Sequence, residues 1–226
     1  NYKANPTQSG FDNVRNAYVY VAKRFQHVVI YDYFGPSAEE SLGANSNAFP
    51  SDTGKINANI SSGTYVLNAS QNFTAKGLPA LDFLLYGRTN AHAYFTDAGN
   101  GAARTRYLSD VAAELKRVTQ KVADNWKTYK TTFISKTGTS AGTSLSNLVN
   151  TYSFNIDVIK NTKIGVPLGK KNDGIVLPYL AEAYYSQISV ALLAESSKAM
   201  LQFYLGADAS GKNGLGLDDY LAAVKA

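Results

Sequence analysis

The chain has 226 residues, a formal net charge of +5 and no cysteine. That length fits one large domain or two small ones, and the absence of cysteine excludes disulfides, thiolate metal sites and cysteine nucleophiles. No apolar run reaches the roughly 18 residues of a membrane span, and no basic segment followed by an apolar one opens the chain, so any signal peptide is expected to be already gone. The lysines and arginines are scattered, densest from Arg104 to Lys130. They read as a solvated helix face rather than the concentrated stripe that nucleic acid requires, so no nucleic-acid partner is expected. The 16 tyrosines suit wet interfaces and grooves.

Residues 1–10 form a polar lead-in. From 11 to 34, Val14, Tyr18, Val21, Phe25, Val28 and Tyr33 recur at steps of three and four, which predicts a helix, stopped by Gly35-Pro36. Residues 37–54, rich in Gly and Asn, read as a loop, and 56–67 as a short helix or turn. Thr74 is placed to cap the next helix.

That helix, Lys76-Gly77-Leu78-Pro79-Ala80-Leu81-Asp82-Phe83-Leu84-Leu85-Tyr86-Gly87, organises the rest. Gly77 and Pro79 suit its first turn and Gly87 its end. Leu81, Phe83, Leu84 and Leu85 leave almost no face for water, and a helix apolar nearly all round belongs inside a bundle. Asp82 is thereby carried into the interior, where a carboxylate needs a partner or a raised pKa.

Residues 88–103 read as a second loop. Leu108, Val111, Leu115, Val118, Val122 and Trp126 make one stripe of a long helix over 104–133. After a Gly/Ser/Thr loop at 136–143, residues 144–164 are helical and Gly165 ends them. Pro178 suits the first turn of a helix running to 205. Gly206 stops it, and 217–225 begins one more. Five or six helices and no convincing strand predict an all-α, up-down helical bundle.

Recognisable catalytic motifs are missing: there is no His-Glu-x-x-His, no Gly-rich phosphate loop and no Gly-x-Ser-x-Gly. Of the two histidines, His27 reads as structural or surface. His92 either swings back to Asp82 or is an exposed loop residue. Asp82 itself is a metal ligand, a general base, or a buried acid bonded to a serine, a tyrosine or a helix N-terminus. Ser186 and Ser189, three apart on one helix face, either let helices approach or supply that partner. Asp32 is the other acid near apolar residues, whereas Glu182 and Glu195 read as solvated. Asn-x-Ser/Thr sequons at Asn59, Asn68 and Asn72 matter only in a eukaryotic secretory setting.

Four stretches together resemble a known family. They are Phe34-Gly35-Pro36 with Phe49-Pro50-Ser51-Asp52; the helix Lys76 to Gly87; Lys163-Ile164-Gly165-Val166-Pro167-Leu168-Gly169; and Tyr204-Leu205-Gly206 with Gly214-Leu215-Gly216-Leu217-Asp218-Asp219-Tyr220-Leu221. Their order and spacing resemble the imelysin-like proteins (peptidase M75). The resemblance implies a tandem helical architecture, with residues 1–135 a first bundle and 136–226 a second, partial one, packed as one unit. It implies a bacterial protein of the periplasm or outer cell surface, secreted or a lipoprotein with its lipid anchor upstream, and linked to iron acquisition. Relatives usually continue past the late Gly-Leu turn, so a short form or a fragment is expected. The family hallmark, Gly-x-His-x-x-Glu, is proposed as a metal or catalytic site. Here Gly77 is kept, Pro79 stands at the histidine position and Asp82 at the glutamate position. Proline has no metal-binding side chain. The expectation is therefore a non-catalytic module without a cofactor, holding a ligand or an envelope protein partner near Asp82, His92, Ser186, Ser189 and Asp32. The alternative is a metal-dependent peptidase of that family, with iron or another divalent metal.

Overall fold

A computed structural model describes residues 2–224. Among them are ten α-helices and no strand, so the fold is all-α. Helix α1, Gln8–Val28, is opened by the Thr7 hydroxyl, which accepts the Gly10 N–H at 3.1 Å. This satisfies one of the donors that a helix start leaves free. Its inner face carries Phe11, Tyr18, Ala22 and Phe25, and a 3₁₀ turn, Val29–Tyr31, extends it. Two short helices follow, α2 (Gly35–Glu39) and α3 (Leu42–Ser46), then α4 (Thr53–Ser62), capped by the Asp52 carboxylate on the Lys55 N–H.

Helix α5, Gly77–Tyr86, is the centre of the molecule. Every residue from Gly77 through Leu85 is buried, and α1 and α7 flank it. Each large apolar side chain sealed there contributes roughly 1.5–3 kcal/mol. Gly77 has φ +68°, and a Cβ on it would lie 2.3 Å from the Ser46 carbonyl oxygen. Only glycine lets α5 begin this close to the end of α3. Helix α6 (Ala91–Thr96) leads to α7 (Gly101–Ser135), 35 residues long, whose stripe of Leu108, Val111, Leu115, Val118 and Val122 faces α5 and its neighbours. Helix α8 (Ser144–Asp157) runs directly into a π-helical segment, Val158–Gly165. Helix α9 (Ser189–Tyr204) packs along α1, and α10 (Leu217–Ala223) closes the described chain.

The structure corrects several expectations. The stretch 37–54 is not a plain loop, because α2 and α3 form within it. Gly35-Pro36 opens α2 rather than only ending α1, with proline in the first turn, where its missing N–H costs nothing. Thr74 lies in a 3₁₀ stretch, and α5 starts behind Lys76 without a side-chain cap. The loop 88–103 contains α6. Gly87 is not left-handed (φ −68°). A Cβ there would meet the Phe83 carbonyl at 2.5 Å, so close approach rather than a special dihedral selects glycine. The largest difference lies in the helix expected over 178–205. Only a 3₁₀ turn, Pro178–Leu180, forms at its start. Residues 182–187 are consecutive turns, and helix begins at Ser189. Consequently Ser186 and Ser189 do not share a helix face. Of the last predicted helix, 217–225, residue Lys225 lies outside the described residues.

Candidate functional site

Asp82 sits in the middle of α5, 2% exposed. Its carboxylate is surrounded by donors. Tyr18 of α1 donates its hydroxyl to Oδ1 at 3.0 Å. The backbone N–H of Ser186 reaches Oδ1 at 3.0 Å, and that of Tyr185 reaches Oδ2 at 2.8 Å. Burial pushes the Asp82 pKa up, while the donors from Ser186, Tyr185 and Tyr18 oppose the rise. The Tyr18 hydroxyl is in turn held protonated, by its own burial and by the carboxylate beside it.

These bonds explain why residues 182–187 are not helical. Two of their N–H groups turn to a side chain on α5 instead of to carbonyls four residues back. Ala183 (φ +53°) and Gln187 (φ +59°) take left-handed conformations that non-glycine residues adopt at a cost. A buried carboxylate is a strong enough acceptor to hold that geometry. Asp82 is thus the post around which the turn is wound.

Beside it lies a second polar centre that the sequence reading did not anticipate. Glu182, expected to be solvated, is buried. Its Oε1 accepts from Gln26 Nε2 at 2.9 Å and from Asn47 Nδ2 at 2.7 Å, and its Oε2 accepts from Lys163 Nζ at 2.7 Å. Lys163 also donates to Gln26 Oε1 and, at 3.0 Å, to Ser196 Oγ. A serine beside a part-buried lysine invites comparison with a Ser–Lys nucleophile. The arrangement does not support one, because all three ammonium hydrogens are given to acceptors and no lone pair is left to take a proton. Gln26 was detectable as a polar residue inside the stripe of α1. Lys163 and Glu182 carried no local signal, since their meeting depends on the turn.

Two adjoining cavities open on the outside of this turn and share Ala181, Tyr184 and Tyr185. One, about 340 Å³, reaches Asp82 and is walled by Phe49, Pro50, Tyr179 and Tyr184. The other, about 720 Å³, runs past Tyr86, Arg88, Leu168, Val176 and Val190, with Gln187 and Ser189 among its polar groups. Leu168, Val176, Tyr184 and Val190 are all exposed there. An apolar cavity of about 650 Å³ lies elsewhere, among Tyr31, Phe34, Trp126, Leu148 and Phe203. Its Ser37 and Thr119 hydroxyls are already engaged, by Trp126 Nε1 and the Leu115 carbonyl.

The other predicted site residues are dispersed. The Ser186 side chain bonds the Ala183 carbonyl, and Ser189 donates to the Glu182 carbonyl. Both brace the turn, and Ser189 also lines the larger groove. His92 does not return to Asp82. Its Nε2 bonds the Pro6 carbonyl at 2.9 Å, and its ring packs on Phe11. Asp32 accepts the Gly43 N–H at 2.9 Å in the first turn of α3 and faces a smaller cavity with Asn47, Lys163 and Ser196. His27 pairs with Glu195 at 3.0 Å. Among the sequons, Asn59 and Asn72 are buried against each other.

The site residues do not fit a metal. Pro79 is buried in the first turn of α5 and offers no donor atom. Asp82 already accepts from Tyr18, Tyr185 and Ser186, and one carboxylate falls short of the roughly three protein ligands that a metal site needs. Among the described residues no group of three or more His, Cys, Asp or Glu is arranged to hold an ion.

The family model described as Imelysin (peptidase M75) matches residues 1–226. No curated protein and no solved structure matches the chain.

Proposed function

The chain belongs to the imelysin family, and from that premise we propose that it is a non-catalytic binding module of the bacterial envelope. It acts at the periplasmic or outer cell surface and holds a ligand or protein partner in the groove beside the 182–187 turn, within a system linked to iron acquisition. The observation that carries the reading is the state of Asp82. At the position where the family motif has its acid, the carboxylate accepts three hydrogen bonds that shape the turn. The turn in turn presents Tyr184 and its exposed apolar neighbours to solvent. A groove of that size, mostly apolar with a few polar groups, has the character of a small-molecule site. The peptidase reading rests on the family name alone, and the residues at the motif do not favour it.

Three measurements test the proposal. Titration with iron and with zinc should find no stoichiometric site of submicromolar affinity, and unfolded substrates should stay intact in both wild type and Asp82→Asn. A neutral fluorescent probe such as N-phenyl-1-naphthylamine should bind wild type and lose affinity in Val190→Asp. Tight metal binding that disappears in Asp82→Asn would sink the proposal. So would proteolysis dependent on Asp82, or dye binding indifferent to Val190.

A further inference from the structure

Three arginines near the groove lie on aromatic rings. Arg15 sits 4.7 Å from the centres of Phe11 and Tyr86 and gives its hydrogens to the Leu85 carbonyl. Arg104 sits 3.9 Å from the Tyr94 centre and bonds both the Tyr94 carbonyl and Asp97. Arg88 is different. Its guanidinium lies 3.6 Å from the Tyr94 centre and 4.8 Å from that of Phe83, so it is held against two rings. Yet its Nη1 is buried with no hydrogen-bond partner, and among the described residues no acid pairs with it. Guanidinium is charged at any working pH, and a buried donor without an acceptor is costly, more so when charged. Native structures leave few such groups unexplained.

Arg88 lines the larger groove, beside Thr89 and Gln187. Its charge reaches the Tyr185 hydroxyl, where it opposes the rise in pKa that burial produces. We infer that the groove takes an organic carboxylate, its acid group held by Arg88 and its apolar body lying along Tyr184, Leu168 and Val190. A planar guanidinium matches a carboxylate in shape and hydrogen-bond direction. One unpaired cation balances a monoanion and leaves a phosphate dianion under-neutralised, because no lysine lines this groove. Held against two rings, the guanidinium loses little freedom when the ligand arrives. This inference rests on the groove being a binding site, and the experiment separates the two ideas.

The probes are 3-phenylpropionate and its uncharged amide, compared by titration calorimetry against the full chain. The acid should bind at least about tenfold more tightly than the amide. Arg88→Gln should abolish that preference, Arg88→Lys should keep part of it, and Val190→Asp should weaken both probes. The acid–amide comparison needs no variant, so it stands even if Arg88→Gln folds poorly. Equal binding of acid and amide overturns the carboxylate assignment. If Val190→Asp still weakens both, the groove itself survives. A preference for the acid that persists in Arg88→Gln, or no binding of the acid at roughly 10 mM, also overturns the assignment. A better fit of inorganic phosphate than of 3-phenylpropionate, lost in Arg88→Gln, would replace the carboxylate by phosphate.

Discussion

Asp32 ends the 3₁₀ turn after α1 and reaches across to the first turn of α3, where its Oδ2 accepts the Gly43 N–H. Its Oδ1 is buried without a partner. Burial therefore raises its pKa from 3.8 to about 6, against the pull of the Gly43 and Leu42 N–H groups. The direction has a consequence for stability. A folded-state pKa above the unfolded one means that the native protein binds the proton more tightly. Asp32 thus favours the fold most below pH 3.8, and its contribution is lost as pH rises to about 6. The burial that raises the Asp82 pKa acts in the same sense. Urea unfolding should accordingly show the stability difference between wild type and Asp32→Asn shifting toward the variant between pH 4 and pH 7. A difference constant with pH would show that the carboxylate titrates normally. That Asp32 and Asp82 would be unusual acids was legible in the sequence from their apolar neighbours. Which donors they would meet was not, because the Tyr18 hydroxyl and the Gly43, Tyr185 and Ser186 N–H groups are brought to them only by the folded backbone.

At the scale of elements, α5 is where local signals and tertiary packing agree best. Its glycine, proline and leucines marked both its limits and its burial, and α7 was equally plain from its stripe. Gly77 shows how little slack that packing leaves. Gly77→Ala asks for a left-handed alanine and places a methyl 2.3 Å from the Ser46 carbonyl. Destabilisation of about 2 kcal/mol or more is expected, since strain and backbone displacement add. A shift in the thermal midpoint below about 3 °C would show that α3 yields easily. The 182–187 turn is the opposite case. Its residues have ordinary helix-forming character with Pro178 ahead of them, and local propensity pointed to helix. Helix lost because Asp82 offers two N–H groups a better acceptor than a carbonyl, and Glu182 gains three side-chain donors by leaving the helix path. Propensities of a few tenths of a kcal/mol per residue cannot compete with that.

At the scale of the molecule, the Glu182 centre ties together parts of the chain remote in sequence. Gln26 comes from α1, Asn47 from the end of α3, Lys163 from the π-helical segment and Ser196 from α9. Lys163→Met leaves a buried carboxylate short of its cation, and about 3–5 kcal/mol of destabilisation is expected. Adding Glu182→Leu should restore much of it, since the pair removed together leaves no charge stranded. Losses that simply add would mean that the two residues act independently. The sequence by itself determined the fold class and the identity of the central helix, because apolar periodicity, glycine and proline act within a few residues; the family followed from the resemblance of its motif stretches and the match of the family model. Tertiary structure alone decided the rest: that Asp82 braces a turn, that Glu182 is buried, that His92 points elsewhere and that Arg88 meets no acid among the described residues. Each is fixed by where packed helices bring side chains and backbone donors together. No local pattern encodes such a meeting.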